Sequence, residues 1–152
     1  MAPINNFGTQ RVHQSFAASF NGSPTDSGLI CLLILARFHD LPADGAQLRH
    51  QFAQSGQVLS NAELLRAAKH LGLKAGLVRT TWSKLQGTPL PAMLKQMDGR
   101  YVVLAKVEAD KVLVQDPIEA RPLVLSREQF EAMWTGELLL FTKRAQVRLQ
   151  DL

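Results

Sequence analysis

The sequence contains an unbroken apolar run at positions 29–36, directly after the polar residues Asp26 and Ser27. Asp is a favoured N-cap residue, so this pattern predicts a helix over positions 28–38 that is capped by Asp26. A helix that is apolar on nearly all sides is buried on nearly all sides. The run is too short to cross a bilayer, which needs about 20 apolar residues. We therefore expect this helix to lie at the centre of a folded core.

The composition fits one soluble globular domain and no disordered chain. Of 152 residues, 46% are hydrophobic and 20% are charged, whereas a disordered chain would be poorer in apolar residues. Cys31 is the only cysteine, which excludes an internal disulfide and a four-cysteine zinc site. The net charge is +4. The basic residues form no stripe interleaved with aromatic residues, so we expect no nucleic-acid partner.

Capping signals predict two further helices. The first begins after Asp44 and ends at Gly56, where glycine interrupts the pattern. The second begins after Ser60, carries Glu63 at the third position of a capping box, and ends at Leu71.

Beyond these helices the apolar period becomes that of strands, and the pair Asp98–Gly99 is a two-residue hairpin signal. We predict strands at 74–80, 92–97, 100–107, 111–115, 121–125 and 138–141, with a short helix from Ser126 to Met133. Helices followed by strands favour an α+β fold, with N-terminal helices packed on an antiparallel meander.

Composition along the chain predicts three segments. Positions 1–25, rich in Asn, Ser, Gly and Gln, are expected to be a flexible lead-in, and 26–142 a single folded domain. Positions 143–152 form a basic tail. This tail is either a linker towards a membrane segment on its cytoplasmic side, where Lys and Arg accumulate, or an ordinary solvated end. Positions 1–21 lack the apolar core of a secretory signal, so we expect the chain to be cytoplasmic.

The residues that usually carry chemistry form no recognisable metal or phosphate site. No glycine-rich loop ends in Gly-Lys-Ser/Thr, and none of the four histidines has a second ligand at metal-binding spacing. Cys31 lies within the apolar run, where a thiol usually packs as a small hydrophobic group. We expect no metal and no cofactor, and we expect Trp82 and Trp134 to be packing residues.

The segment DSGLICLLILARFH at positions 26–39 resembles the first helix of the papain-like peptidase domains at the N-termini of bacterial ABC exporters. Active members cut bacteriocin precursors after a double-glycine leader, and their catalytic Cys lies between an Asp and a Gly at the start of this helix. Further similar passages follow in the same order, at positions 64–74, 90–92, 98–104, 116–117, 130–131 and 134–136. The resemblance covers about 26–144 and implies a papain-like cysteine peptidase fold.

This sequence departs from the active members at the positions that matter for catalysis. Ser27 stands where they have the nucleophilic Cys, and Tyr101 stands where they have the His. Asp116 is retained at the aspartate position, while Asn21 is the nearest amide to the place of the oxyanion-hole Gln. A serine hydroxyl stays protonated without a general base, and tyrosine, with a pKa of about 10, is no base near neutral pH. Cys31 lies one helical turn deeper and cannot replace Ser27, so we expect no peptidase activity.

The pattern is similar to the peptidase-like domain of haemolysin-type exporters of type I secretion, which has lost the Cys. That subgroup implies a non-catalytic docking domain that holds an unfolded RTX-type protein before export. It also implies partners in the transmembrane and nucleotide-binding domains of the same exporter, at the cytoplasmic face of the inner membrane. The alternatives are an active leader peptidase that cleaves after a double glycine and a module that only contacts the nucleotide-binding domain.

Three residues are candidates for contact with an exported chain: Tyr101, Lys95 and Asp116. Lys95 stands near the position where the haemolysin subgroup has a Trp. Tyr101 either offers its ring to a bound chain or fills the space of the lost site. Asp116 either serves function or simply forms the turn before Pro117.

Overall fold

The computed structural model describes residues 26–54 and 57–143, so the predicted lead-in, most of the basic tail and Asn21 lie outside the described residues. Its helices are α1 (Ser27–Phe38), α2 (Gly45–Phe52), α3 (Asn61–Leu71) and α4 (Arg127–Met133), with a 3₁₀ helix at Trp82–Gly87. Its strands are β1 (Leu73–Arg79), β2 (Ala92–Gln96), β3 (Tyr101–Val107), β4 (Lys111–Asp116), β5 (Arg121–Ser126) and β6 (Trp134–Lys143).

The helix starts agree with the capping residues read from the sequence. Asp26 caps α1, Asp44 caps α2, and Ser60 closes a reciprocal capping box with Glu63 at the start of α3. The predicted end of α2 at Gly56 is wrong, because the helix stops at Phe52. The next residue already has an extended backbone, with φ −80 and ψ 142.

The six strands form one antiparallel sheet in the order β1-β6-β2-β3-β4-β5. The meander from β2 to β5 is confirmed, but β6 returns to lie between β1 and β2. The last strand is longer than predicted, because it has ten residues and includes Gly136 at φ 94. It pairs with β1 along one side and with β2 along the other.

Two hydrophobic cores lie on opposite faces of the sheet. The helices α1 and α3 cover one face, and the core there includes Cys31, Met93 and Phe141. The other face is covered by the 3₁₀ helix and α4, where Phe130 lies against Trp82 and Trp134 at ring-centroid distances of 5.8 and 4.9 Å. Both tryptophans are buried, which confirms them as packing residues. The 3₁₀ helix was not predicted, whereas α4 agrees with the helix predicted from Ser126 to Met133.

Within residues 26–54 and 57–143, no helix is both long and apolar enough to span a membrane.

Candidate functional site

The first turn of α1 meets the first residue of β3, which brings two of the sequence-predicted site residues together. The backbone N–H of Tyr101 donates to the Ser27 Oγ at 3.0 Å. Ser27 retains 8% of its surface exposed and Tyr101 retains 5%. The serine hydroxyl at the nucleophile position is therefore held by a backbone group instead of a base.

The ring of Tyr101 fills the space beside this serine. A Cβ added to Gly28 would lie 3.0 Å from Tyr101 Cδ1 and 2.8 Å from Leu64 Cδ1, so the ring packs directly on the glycine of α1. The Tyr101 hydroxyl donates to Asn61 Oδ1 at the start of α3. This contact was not foreseen, because nothing in the sequence relates a strand residue to an amide on α3. The arrangement favours the interpretation that Tyr101 fills the space of the lost site.

Burial also changes the acidity of this phenol. Burial, together with the nearby Asp26, Cys31 and Glu137, raises the pKa of Tyr101 from 10.0 to about 12. A phenol with this pKa is protonated at neutral pH and accepts no proton from Ser27. At neutral pH, Tyr101 is therefore no general base for the Ser27 hydroxyl.

The ionisation of Tyr101 can be followed directly, because it is the only tyrosine of the chain. We expect its absorbance change near 295 nm to occur at about pH 12 in the folded protein, and near pH 10 once unfolded. The pKa of Tyr101 is higher in the folded protein than in the unfolded chain. The protonated phenol therefore contributes about 2–3 kcal/mol to the free energy of unfolding below pH 10, and this contribution is lost as the pH rises towards 12. Lysines titrate in the same pH range, so the pH dependence of stability is compared with that of Tyr101→Phe, which lacks the ionisable phenol. A midpoint near pH 10 in the folded state would contradict the buried site.

Asp116 ends β4 and is engaged in its own turn. Its carboxylate Oδ1 accepts from the backbone N–H of Ile118 at 2.8 Å and of Glu119 at 3.0 Å. Its backbone carbonyl accepts from the N–H of Ala120 at 2.8 Å. These bonds favour the turn-forming interpretation of Asp116.

Lys95 lies next to Tyr101 on the neighbouring strand. The two residues pair in register across β2 and β3, and the Lys95 Nζ lies 5.8 Å from the centroid of the Tyr101 ring. This distance is within the range of a cation–π contact. The half-buried lysine therefore borders the serine–tyrosine site, with more of its surface accessible than the ring itself.

Asp26 is the buried polar centre of this region, and the sequence identified only its capping role. The carboxylate is 1% exposed and accepts from the N–H of Leu29 at 3.0 Å and of Leu59 at 2.8 Å. The Arg49 Nη1 lies 3.6 Å from Oδ2. Burial raises the pKa of Asp26, while the hydrogen bonds and the guanidinium oppose that rise. One carboxylate thus joins α1, α2 and the segment before α3.

The remaining candidates carry no chemistry in the described structure. Cys31 is fully buried, and burial, with Asp116 and Asp26 nearby, raises its pKa well above the ordinary value. Its thiol is therefore an inert packing group. Within residues 26–54 and 57–143, no group of three His, Cys, Asp or Glu side chains could hold a metal ion.

The sequence profile of the peptidase C39 family matches residues 16–146. The chain belongs to the peptidase C39 family. The family match begins within positions 1–25, the segment predicted to be a flexible lead-in.

Relatives and solved structures refine the position of this chain within the C39 family. It is 46% identical over 121 residues to the cyclolysin secretion/processing ATP-binding protein CyaB of Bordetella pertussis, covering 78% of this chain. It is 35% identical over 123 residues to the alpha-hemolysin translocation ATP-binding protein HlyB of Escherichia coli O157:H7, covering 80% of this chain. The chain spans only 17% of the length of each of these relatives.

Among solved structures, the N-terminal peptidase C39 like domain of a toxin secretion ATP-binding protein from Vibrio parahaemolyticus is similar to this chain, with a TM-score of 0.71 and 25% identity. The similarity covers 80% of this chain and 100% of that domain. A double glycine motif protease in complex with its leader peptide has the same fold, with a TM-score of 0.70, 21% identity, and coverage of 81% of this chain and 88% of that one. The predicted papain-like α+β fold and the resemblance to haemolysin-type exporters are confirmed.

Proposed function

We propose that this C39 family member is a non-catalytic docking domain of an ABC exporter, which holds an unfolded RTX-type protein before type I secretion. The observation that carries the proposal is the bond between Ser27 Oγ and the backbone of the buried Tyr101. Peptide cleavage needs a nucleophile activated by a neighbouring base. Here the nucleophile position has a hydroxyl, and the base position has a phenol whose pKa is about 12.

The relatives support the biological setting of this proposal. CyaB is named as a cyclolysin secretion/processing protein and HlyB as an alpha-hemolysin translocation protein. By analogy, the partners would be an unfolded RTX-type toxin together with transmembrane and nucleotide-binding domains of the same exporter. The domain would then lie at the cytoplasmic face of the bacterial inner membrane.

The peptidase alternative has one observation in its favour, since the Bordetella relative is named as a processing protein. To test this alternative, the chain is incubated with a double-glycine leader peptide and cleavage products are sought by mass spectrometry. We expect no cleavage from the wild-type chain, and none from Ser27→Ala. Cleavage that disappears in Ser27→Ala would replace the docking proposal with a peptidase.

Docking itself is tested by NMR: the isotopically labelled chain is titrated with a polypeptide of RTX repeats, and its chemical shifts are followed. Such repeats bind calcium and fold with it, so the titration is run once with a chelator and once with calcium. We expect shift changes only with the unfolded, calcium-free polypeptide. An absence of shifts would overturn the docking proposal and favour a module that contacts only the nucleotide-binding domain.

Tyr101, Lys95 and Asp116 remain the contacts proposed from the sequence. Of these, Tyr101 is covered and the Asp116 carboxylate is bonded within its turn. Lys95 is therefore the residue of the three with the best access to a bound chain.

A further inference from the structure

The sheet ends in two edge strands, β1 and β5. Directly after β1, the N–H of Thr80 donates to Gly136 O of β6 at 2.9 Å. The N–H and C=O groups of successive residues point to alternate sides of a strand. Every second residue counted back from Thr80 therefore also directs these groups towards β6. The N–H and C=O groups of Ala75, Leu77 and Arg79 then point away from the sheet. Among the described residues, none of these three N–H groups has a hydrogen-bond acceptor outside the sheet.

The opposite edge is closed to further pairing. The N–H of Arg127 donates to Asp110 O, which places the outward groups of β5 at Pro122, Val124 and Ser126. Pro122 has no N–H to donate, and the N–H of Ser126 already donates to the Gln129 Oε1 at 2.9 Å. Only Val124 offers an outward donor on β5, whereas β1 offers three in succession.

The side chains around the β1 edge are predominantly basic. Lys74, Arg79 and Lys143 are exposed on or beside the strand. The acidic residue paired with β1 is Glu137, which already forms an ion pair with Arg79 at 3.0 Å. Leu77 adds an apolar contact, with 42% of its surface exposed. The edge therefore combines free backbone donors and acceptors with positive charge.

We propose that the outer edge of β1 binds an extended, acidic segment of the exported protein as an additional antiparallel or parallel strand. The proposal rests on the docking function above and adds the sheet edge to the contact proposed at Lys95. Strand addition uses main-chain hydrogen bonds and so accepts many sequences. RTX repeats contain glycine and aspartate in the pattern G-G-x-G-x-D-x-U-x. Before calcium binds, they present both a free backbone and negative charge.

The test substitutes proline at one outward-facing position on each edge. Leu77→Pro removes an outward N–H from β1 while leaving the bonds to β6, and Val124→Pro makes the matched change on β5. Binding of a synthetic polypeptide of RTX nonapeptide repeats, in chelator, is measured by titration calorimetry. We expect Leu77→Pro to weaken binding about tenfold or more and Val124→Pro to change it by less than about twofold.

Hydrogen exchange of the wild-type chain provides a readout that does not depend on the folding of a variant. The amides of Ala75, Leu77 and Arg79 should exchange more slowly in the presence of the calcium-free polypeptide, while the Val124 amide stays unchanged. Unchanged binding by Leu77→Pro together with unprotected β1 amides would overturn the edge proposal, even where the wild type binds and docking stands. If protection of the β1 amides rises with the concentration of this chain and does not depend on the added polypeptide, the edge binds a second copy of this chain. That result would overturn the edge proposal. No binding by the wild type would defeat the docking function itself.

Discussion

Replacing Asp26 with alanine is expected to destabilise the fold by about 3–5 kcal/mol, the range measured when one partner of a buried ion pair is removed. The carboxylate accepts two backbone hydrogen bonds and faces the Arg49 guanidinium at 3.6 Å. Its removal leaves the buried N–H of Leu59 without its acceptor and deprives α1 of its cap. Urea unfolding followed by circular dichroism measures the change in the free energy of unfolding.

A matched control comes from the other aspartate cap. Asp44 caps α2 through the N–H groups of Ala46 and Gln47, but it does so at the surface. Asp44→Ala is therefore expected to cost only about 1 kcal/mol, the value typical of an exposed cap. Equal losses for Asp26→Ala and Asp44→Ala would show that Asp26 acts as a helix cap alone and does not join the three elements.

Replacing Tyr101 with alanine is expected to cost about 3–5 kcal/mol, as for other large aromatic residues in a core. The ring is 5% exposed and packs against Gly28, so its loss leaves a cavity between α1 and β3. Tyr101→Phe keeps the ring and removes only the bond to Asn61, with an expected loss of about 0.5–1.5 kcal/mol. Thermal and urea unfolding of both variants measure the difference.

The two tyrosine variants also separate packing from docking. A ring that only fills the lost site predicts that Tyr101→Phe binds the calcium-free RTX polypeptide as tightly as the wild type. A large loss of affinity in Tyr101→Phe, with stability nearly unchanged, would instead place the bound chain against the phenol. Small, similar stability losses for Tyr101→Ala and Tyr101→Phe would contradict the buried position of the ring.

Helix positions were predictable because their signals are local. A side chain at Asp26, Ser60 or Ser126 bonds to backbone groups within three residues, so sequence neighbours contain the whole motif. The hairpin at Asp98–Gly99 is local in the same way, and Gly99 has φ 91 as such turns require. The end of α2 was missed because no local signal marks Ala53 as its C-cap.

Sheet order was harder to predict because strand partners are distant along the chain. The sequence placed β6 after β5, and nothing in positions 134–143 indicates pairing with Leu73–Arg79. The Thr135–Gly136 pair also interrupts the apolar alternation at the start of the strand, which explains why only 138–141 were predicted. The partners of β6 became known only once the whole sheet was assembled.

The sequence by itself determined the side-chain chemistry available at Ser27 and Tyr101, because that chemistry is set by residue type. That these are the positions of a nucleophile and a base is what the resemblance to the exporter peptidase domains implies. Only the tertiary structure decided that the tyrosine ring is covered, since its burial depends on Gly28 and Asn61 from two separate helices. The same is true of Asp26, whose bond to Leu59 spans 33 positions. Burial and long-range hydrogen bonds are properties of neighbours in space, and a linear pattern does not contain them.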